Sequence, residues 1–218
     1  HASNLQKIDA GVLANQIAEL SRVASARFGS WGDTDLITSV IAPYLRGPSG
    51  SMIDVGACHG TMSEPFLAMG WRAVLFEPDP RCAAQIAPLV ARYPGQARHE
   101  RAAVAASAPG TAQFHIAQSQ GLSGLSGSPF DSDAEVVEVP TVNLARYIAD
   151  AGLQRTDFMK IDAEGFDLQI LASLDFGAVR PRLLMVEIGE HFAGQDREAI
   201  AAAVARMRDL KYRACMFS

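Results

Sequence analysis

Cysteine is scarce in this 218-residue chain: Cys58, Cys82 and Cys215 are all it has. Their spacing matches neither a disulfide framework nor a zinc motif, which favours a reducing compartment and a cytoplasmic location. Long apolar runs are missing too, the longest being strand-sized, so no transmembrane segment is expected. There is no secretory signal pattern. Lys and Arg form no run with interleaved aromatics and the formal charge is −5, so nucleic acid is not an expected partner. Two of the three glycines of G-x-G-x-x-G are missing too. The three positions would be Gly56, Cys58 and Thr61, which disfavours a pyrophosphate on a helix N-terminus and hence an NAD-dependent oxidoreductase.

What the chain does have is a regular alternation. Its apolar content of 49% suits a globular protein, and its length suits one domain with a sizeable core. Apolar spacing predicts a helix over Asp9–Phe28 and a second from Asp33 or Thr34 through Leu45, ended by Gly47-Pro48-Ser49-Gly50. From Ser51 strands and helices alternate, the pattern of an α/β fold with a mainly parallel central sheet and helices on both faces. Strands are predicted at Met52–Val55, Ala73–Phe76, Ala97–Ala105, Thr111–Ile116, Val136–Val142, Asp157–Ile161 and Leu183–Glu187, with a further one beginning at Tyr212–Phe217. Helices are predicted at Thr61–Met69, Pro80–Tyr93, Leu144–Ala151, Phe166–Leu174 and Arg197–Leu210, and Gly121–Phe130 reads as a Gly/Ser loop.

The most informative stretch is Ser51–Gly60, SMIDVGACHG. A buried strand runs into a glycine turn, where a Cβ would hold off a ligand lying against the backbone. The next strand ends on Glu77, twenty-one residues after Gly56, a spacing that suits a carboxylate on ribose hydroxyls. A turn of the form D-x-G-x-x-x-G can hold a nucleoside without phosphates, and S-adenosylmethionine fits that description.

Three further stretches, Phe76-Glu77-Pro78, Lys160-Ile161-Asp162-Ala163-Glu164-Gly165 and Arg182–Gly189 (RLLMVEIG), join Asp54-Val55-Gly56-Ala57 and Gly60 in one ordered pattern. It resembles the FkbM family of S-adenosylmethionine-dependent O-methyltransferases from about Met52 to Phe217. Cys58 stands where that family usually has Asn, Ser123-Gly124-Leu125 where it has S-S-L, and Asn143 where T-L-D has its Asp. The resemblance implies a Rossmann-like class I methyltransferase fold, with N-terminal helices before it, and transfer of a methyl group to a hydroxyl of a sugar, glycan or polyketide-like product.

Ligands on such sheets lie at the carboxyl ends of the strands, which puts Asp54, Glu77, Asp162 and Glu187 on one rim. On the cofactor side the candidates are Asp54, Gly56, Ala57, His59, Gly60, Glu77, Pro78, Ala103 and Asp162. On the catalytic side they are Asp162 first, then His191, Glu187 and Lys160, the last as a positive charge among the carboxylates. Ser123 and Glu164 are the candidates for the substrate side. Asp162 and Glu187 could also supply oxygens to a magnesium ion, although no metal is expected to be required.

Residues 1–50 are expected to form a helical cover, with His-Ala-Ser as an expression remnant, and 51–218 the cofactor-binding domain. The sequence stops where this sheet would close with an antiparallel strand pair, so its last strand is expected to be missing. That leaves open a larger polypeptide, a homo-oligomer, or a non-catalytic cofactor-binding or scaffold role. The expected partner is a small-molecule or glycan acceptor. No N/D-P-P-Y-type motif is present to suggest N-methylation of DNA.

Overall fold

The apolar stretch after Ser51 forms the middle strand of a five-stranded parallel sheet in the computed structural model of the protein. The structure describes residues 33–45, 47, 49–119, 121–126, 135–192 and 194–213, together with Asn15. In chain order the elements begin with α1 (Asp33–Leu36), a π-helical stretch (Ile37–Ile41), α2 (Ala42–Tyr44), β1 (Ser51–Val55), α3 (Glu64–Ala68), β2 (Arg72–Phe76), α4 (Pro80–Arg92) and β3 (Ala97–Glu100). They continue with β4 (Ala103–Ala105), β5 (Gly110–Ile116), β6 (Glu135–Asn143), α5 (Leu144–Asp150), β7 (Phe158–Ile161), α6 (Asp167–Ser173), β8 (Leu183–Val186) and α7 (Arg197–Asp209).

The chain divides into two compact units, Ser49–Ala203 on one side and His1–Pro48 with Val204–Ser218 on the other. In the second unit, α1 to α2 bury Leu36, Ile37, Val40, Ile41 and Ala42. The first unit carries the sheet, in the order β3-β2-β1-β7-β8, every neighbouring pair parallel. A parallel sheet covered on both faces needs strands that are apolar throughout rather than alternating. β2 is buried from Ala73 to Phe76 and β7 over its whole length. Phe66 on α3 stacks against Trp71 and Phe158 at centroid distances of 5.1 and 5.2 Å, and burying each ring stabilises by roughly 1.5–3 kcal/mol. This is a Rossmann-like α/β fold.

Several boundaries differ from those predicted. The helix expected from Thr61 starts at Glu64, because Pro65 has no N–H to give and is tolerated only in the first turn. The single strand expected over Ala97–Ala105 is two: β3 pairs with β2, and the chain then changes sheets so that β4 pairs with β6. β4, β6 and β5 form a separate three-stranded sheet around Ala103, Phe114, Ile116 and Val139. Asn143 caps α5, accepting from the backbone N–H of Arg146 at 3.0 Å. Tyr212 and Arg213 lie in no strand, and the remainder of that expected strand is outside the described residues. So are the expected helix over 9–28, apart from Asn15, and the loop residues 127–130. Among the described residues no helix is long and apolar enough to cross a membrane.

Candidate active site

From β1 the chain builds outward through β2 and β3, and it later returns to add β7 and β8 on the other side. Such a reversal opens a crevice at the carboxyl ends of the two strands that flank it. Gly56 follows β1 and Asp162 follows β7, so the switch point brings them together. The backbone N–H groups of Gly56 and Ala57 donate to the Phe76 carbonyl at 3.0 and 3.1 Å, while that of Asp162 donates to the Val55 carbonyl at 3.2 Å. Gly56 has φ +71°, and a Cβ there would lie 1.7 Å from the carbonyl oxygen of Asp162. The glycine is therefore required by the close approach of the β7 end as well as by any ligand. Gly60 has φ +76°, a left-handed backbone that favours glycine, and a Cβ there would also press on the Leu89 side chain.

Glu77, almost fully buried, is clasped by backbone. Its Oε2 accepts from the Cys58 N–H and its Oε1 from the Asp79 N–H, both at 2.8 Å. Burial pushes its carboxyl up to about 7 in spite of those two donors. Each oxygen keeps a lone pair for a hydroxyl, so the clasp orients Glu77 without using it up. Asp79 also caps α4 and is bonded to Arg81 and to Ser123, whose hydroxyl donates to it at 3.2 Å.

Beneath the turn lies a buried charge cluster. Lys160, 2% exposed, places Nζ 2.9 Å from Asp162 Oδ2 and 3.5 Å from Asp54 Oδ1, and it donates to the Gly56 carbonyl at 3.0 Å. Burial alone would lower the Lys160 ammonium, but Asp54 and Asp162 outweigh it and hold it above its usual range. Asp54 is fully buried and takes a 2.6 Å bond from Ser63; burial raises its carboxyl against the pull of Lys160. Asp54 thus braces the turn from below.

Two adjoining cavities open above this floor, and Gly56, Glu77, Ser123 and Asp162 border both. The first has an apolar wall of Ala102, Ala103, Val104, Phe114 and Leu125, with Pro78 at its edge. A flat purine suits that wall and a ribose suits Glu77, so the residues present fit S-adenosylmethionine. Glu164 borders the second cavity. Asp162, Glu164 and Glu187 each offer a carboxylate oxygen, all within 4.8 Å of one another, a set of hard donors that a divalent cation could use. Burial, then the charge of Asp162, raises Glu187 to about 9 and Glu164 to about 8. Glu164 itself has φ +49°, a left-handed backbone uncommon outside glycine.

Ala57 is buried within the turn, and His59, half-buried, shares a cluster with Cys58 and Cys82. His191 is exposed, its ring 4.1 Å from that of Phe192, and it borders neither cavity. Two positioning residues escaped the sequence reading. Asp167 is fully buried and accepts from the backbone N–H groups of Ala163 and Gly165, at 2.6 and 2.9 Å, holding the Asp162–Gly165 loop in shape. Ser63 does the same for Asp54. The signal for Asp167 was present as a third acid directly after K-I-D-A-E-G-F.

A family model described as a methyltransferase FkbM domain matches residues 54–214. No curated protein matches the chain. Among solved structures, the glycopeptide N-methyltransferase MtfA is similar at 12% identity over 56% of this chain and 68% of its own, with a TM-score of 0.22. A Burkholderia thailandensis 1,6-didemethyltoxoflavin-N1-methyltransferase, solved with 1,6-didemethyltoxoflavin and S-adenosylhomocysteine bound, is similar at 16% identity over 65% of this chain and 76% of its own, with a TM-score of 0.28.

Proposed function

Because the chain belongs to the FkbM methyltransferase family, we propose that its particular reaction is O-methylation of a small hydroxylated acceptor, a sugar, glycan terminus or polyketide-like product. The cofactor is S-adenosylmethionine, which supplies an electrophilic methyl carbon on a sulfonium. The protein has two tasks left: to align an acceptor oxygen with that carbon and to take its proton.

The observation that carries the oxygen assignment is the group Asp162, Glu164 and Glu187, of which Asp162 and Glu164 border the crevice. Hydroxyls donate to a carboxylate and accept from a protonated carboxyl, so three such groups in reach of one another can hold a polyol, and the ionised one can receive its proton. Asp162, kept in place by Lys160 at 2.9 Å, is the proposed base and orienting group. Glu187 and Glu164, held protonated near neutrality by burial and by Asp162, orient neighbouring acceptor oxygens. Glu77 and the Gly56–Gly60 turn, with Ala103 beside the purine, hold the cofactor. Ser123 ties the loop over the crevice to Asp79 and Ala117. His191, exposed and away from both cavities, is left as a secondary candidate that acceptor binding would have to bring in.

The test is Asp162→Asn against a panel of hydroxylated acceptors, read by mass spectrometry as a gain of one methyl. Turnover should fall by about a hundredfold or more while S-adenosylmethionine still binds. Undiminished turnover, or methyl gain only on amine acceptors, would overturn the assignment.

A further inference from the structure

The two sulfurs that the sequence leaves twenty-four residues apart meet at the mouth of the cofactor site. Cys58 lies in the turn after β1 and Cys82 in the first turn of α4, with Sγ···Sγ at 3.9 Å. Cys58 is half-exposed and Cys82 is buried. We propose that Cys58 and Cys82 form an oxidant-sensitive dithiol, in which Cys58 is attacked by peroxide and Cys82 closes a disulfide that weakens cofactor binding.

The division of labour follows from their surroundings. The Cys82 thiol donates towards Cys58, and His59 and Lys160 add positive charge, which lowers the Cys58 thiol to about 6. Cys82 is held above its ordinary range by that same bond, by burial and by Glu77. Cys58 is thus the thiolate and the accessible one, the two properties an oxidant selects. Cys58 also has φ +48°, in a turn whose N–H is committed to Glu77.

In the first step the Cys58 thiolate attacks one peroxide oxygen. The S–O bond forms, the O–O bond breaks, and hydroxide leaves to take a proton from solvent. Cys58 is then a sulfenic acid. In the second step the Cys82 sulfur attacks Cys58, the S–S bond forms and the S–O bond breaks. The departing hydroxide takes the Cys82 thiol proton as water. Overall two thiols are oxidised and one hydrogen peroxide is reduced to two waters.

Disulfide sulfurs sit about 2.05 Å apart, so closure shortens the Sγ···Sγ distance by about 1.9 Å, and the part not taken up by side-chain rotation draws the turn and the start of α4 together. Both halves of the Glu77 clasp move with them, because the Cys58 N–H holds Oε2 and the Asp79 N–H, three residues before Cys82, holds Oε1. The predicted loss of affinity rests on the reading of Glu77 as the ribose-binding acid; the disulfide itself does not.

The test treats the full chain with hydrogen peroxide and maps thiols by non-reducing peptide mass spectrometry, with calorimetry of S-adenosylmethionine before and after. A Cys58–Cys82 linkage is expected, with affinity lowered about tenfold or more and restored by a dithiol reductant. In Cys82→Ala the reduced protein should bind as before, and a sulfenic acid should persist on Cys58, where a 1,3-dione traps it. Linkage to Cys215 instead, two thiols that survive peroxide, or a metal ion retained by Cys58, His59 and Cys82 that blocks oxidation would each overturn the proposal. Linkage without loss of affinity would overturn its functional half. If the reduced protein binds no S-adenosylmethionine at all, the cofactor assignment fails while the dithiol can still be judged by its mass.

Discussion

Asp54 and Lys160 are register partners on adjacent parallel strands, with Lys160 Nζ 3.5 Å from Asp54 Oδ1 and both side chains essentially out of water. Two opposite charges inside otherwise apolar strands are tolerated because each answers the other, and the remaining bonds go to Ser63, Asp162 and the Gly56 carbonyl. The pair anchors both lips of the crevice at once.

Lys160→Met should therefore be strongly destabilising, by roughly 3–5 kcal/mol, since it strands Asp54 in the interior. The same change combined with Asp54→Asn should cost less than the sum of the two single changes. Urea unfolding of the wild type, both single variants and the double variant measures the coupling.

Glu77 titrates near 7 because it is buried, so its charge is lost as the pH falls through that value. Ribose hydroxyls donate to the ionised form. Affinity for S-adenosylmethionine should decline from pH 8 to pH 6, and Glu77→Gln should bind about tenfold or more weakly with that pH dependence abolished. Calorimetry across the range reads both effects.

Glu187 is raised to about 9 in the folded protein, from an ordinary value of 4.5. Between those values the native state keeps a proton that the unfolded chain has released, so stability falls as pH rises through the window. Glu187→Gln should flatten that decline and raise the melting temperature at pH 8.5 relative to the wild type, while lowering turnover. Thermal scans at pH 6 and pH 8.5 check the sign.

The Lys160 ammonium, 2.9 Å from Asp162, already sets a positive charge against the Asp162–Glu164–Glu187 group. Methyl transfer should consequently survive EDTA at pH 7. A loss of activity that magnesium restores would assign the three carboxylates to a cation instead.

The turn after β1, the acid closing β2 and the run from Lys160 to Gly165 were legible because each is a local pattern of strand followed by special residues. The Asp54–Lys160 pair was half legible: two charges in apolar strands are visible, but their register is set by the sheet. Ala103 read as one strand with Ala97, since no glycine or proline between them marks the change of sheet in the sequence. The Cys58–Cys82 approach was invisible because it depends on where Pro80 starts α4 beside the turn. His191 illustrates the opposite failing: its chemistry invited a role, while its place on an exposed turn is decided by tertiary structure.

A crystal structure of the protein with S-adenosylhomocysteine tests the cofactor assignment most directly. The purine should lie against Ala103 and Phe114, with the ribose hydroxyls within hydrogen-bond distance of the Glu77 carboxylate. Nucleoside bound elsewhere, with Glu77 still engaged only by Cys58 and Asp79, would contradict it.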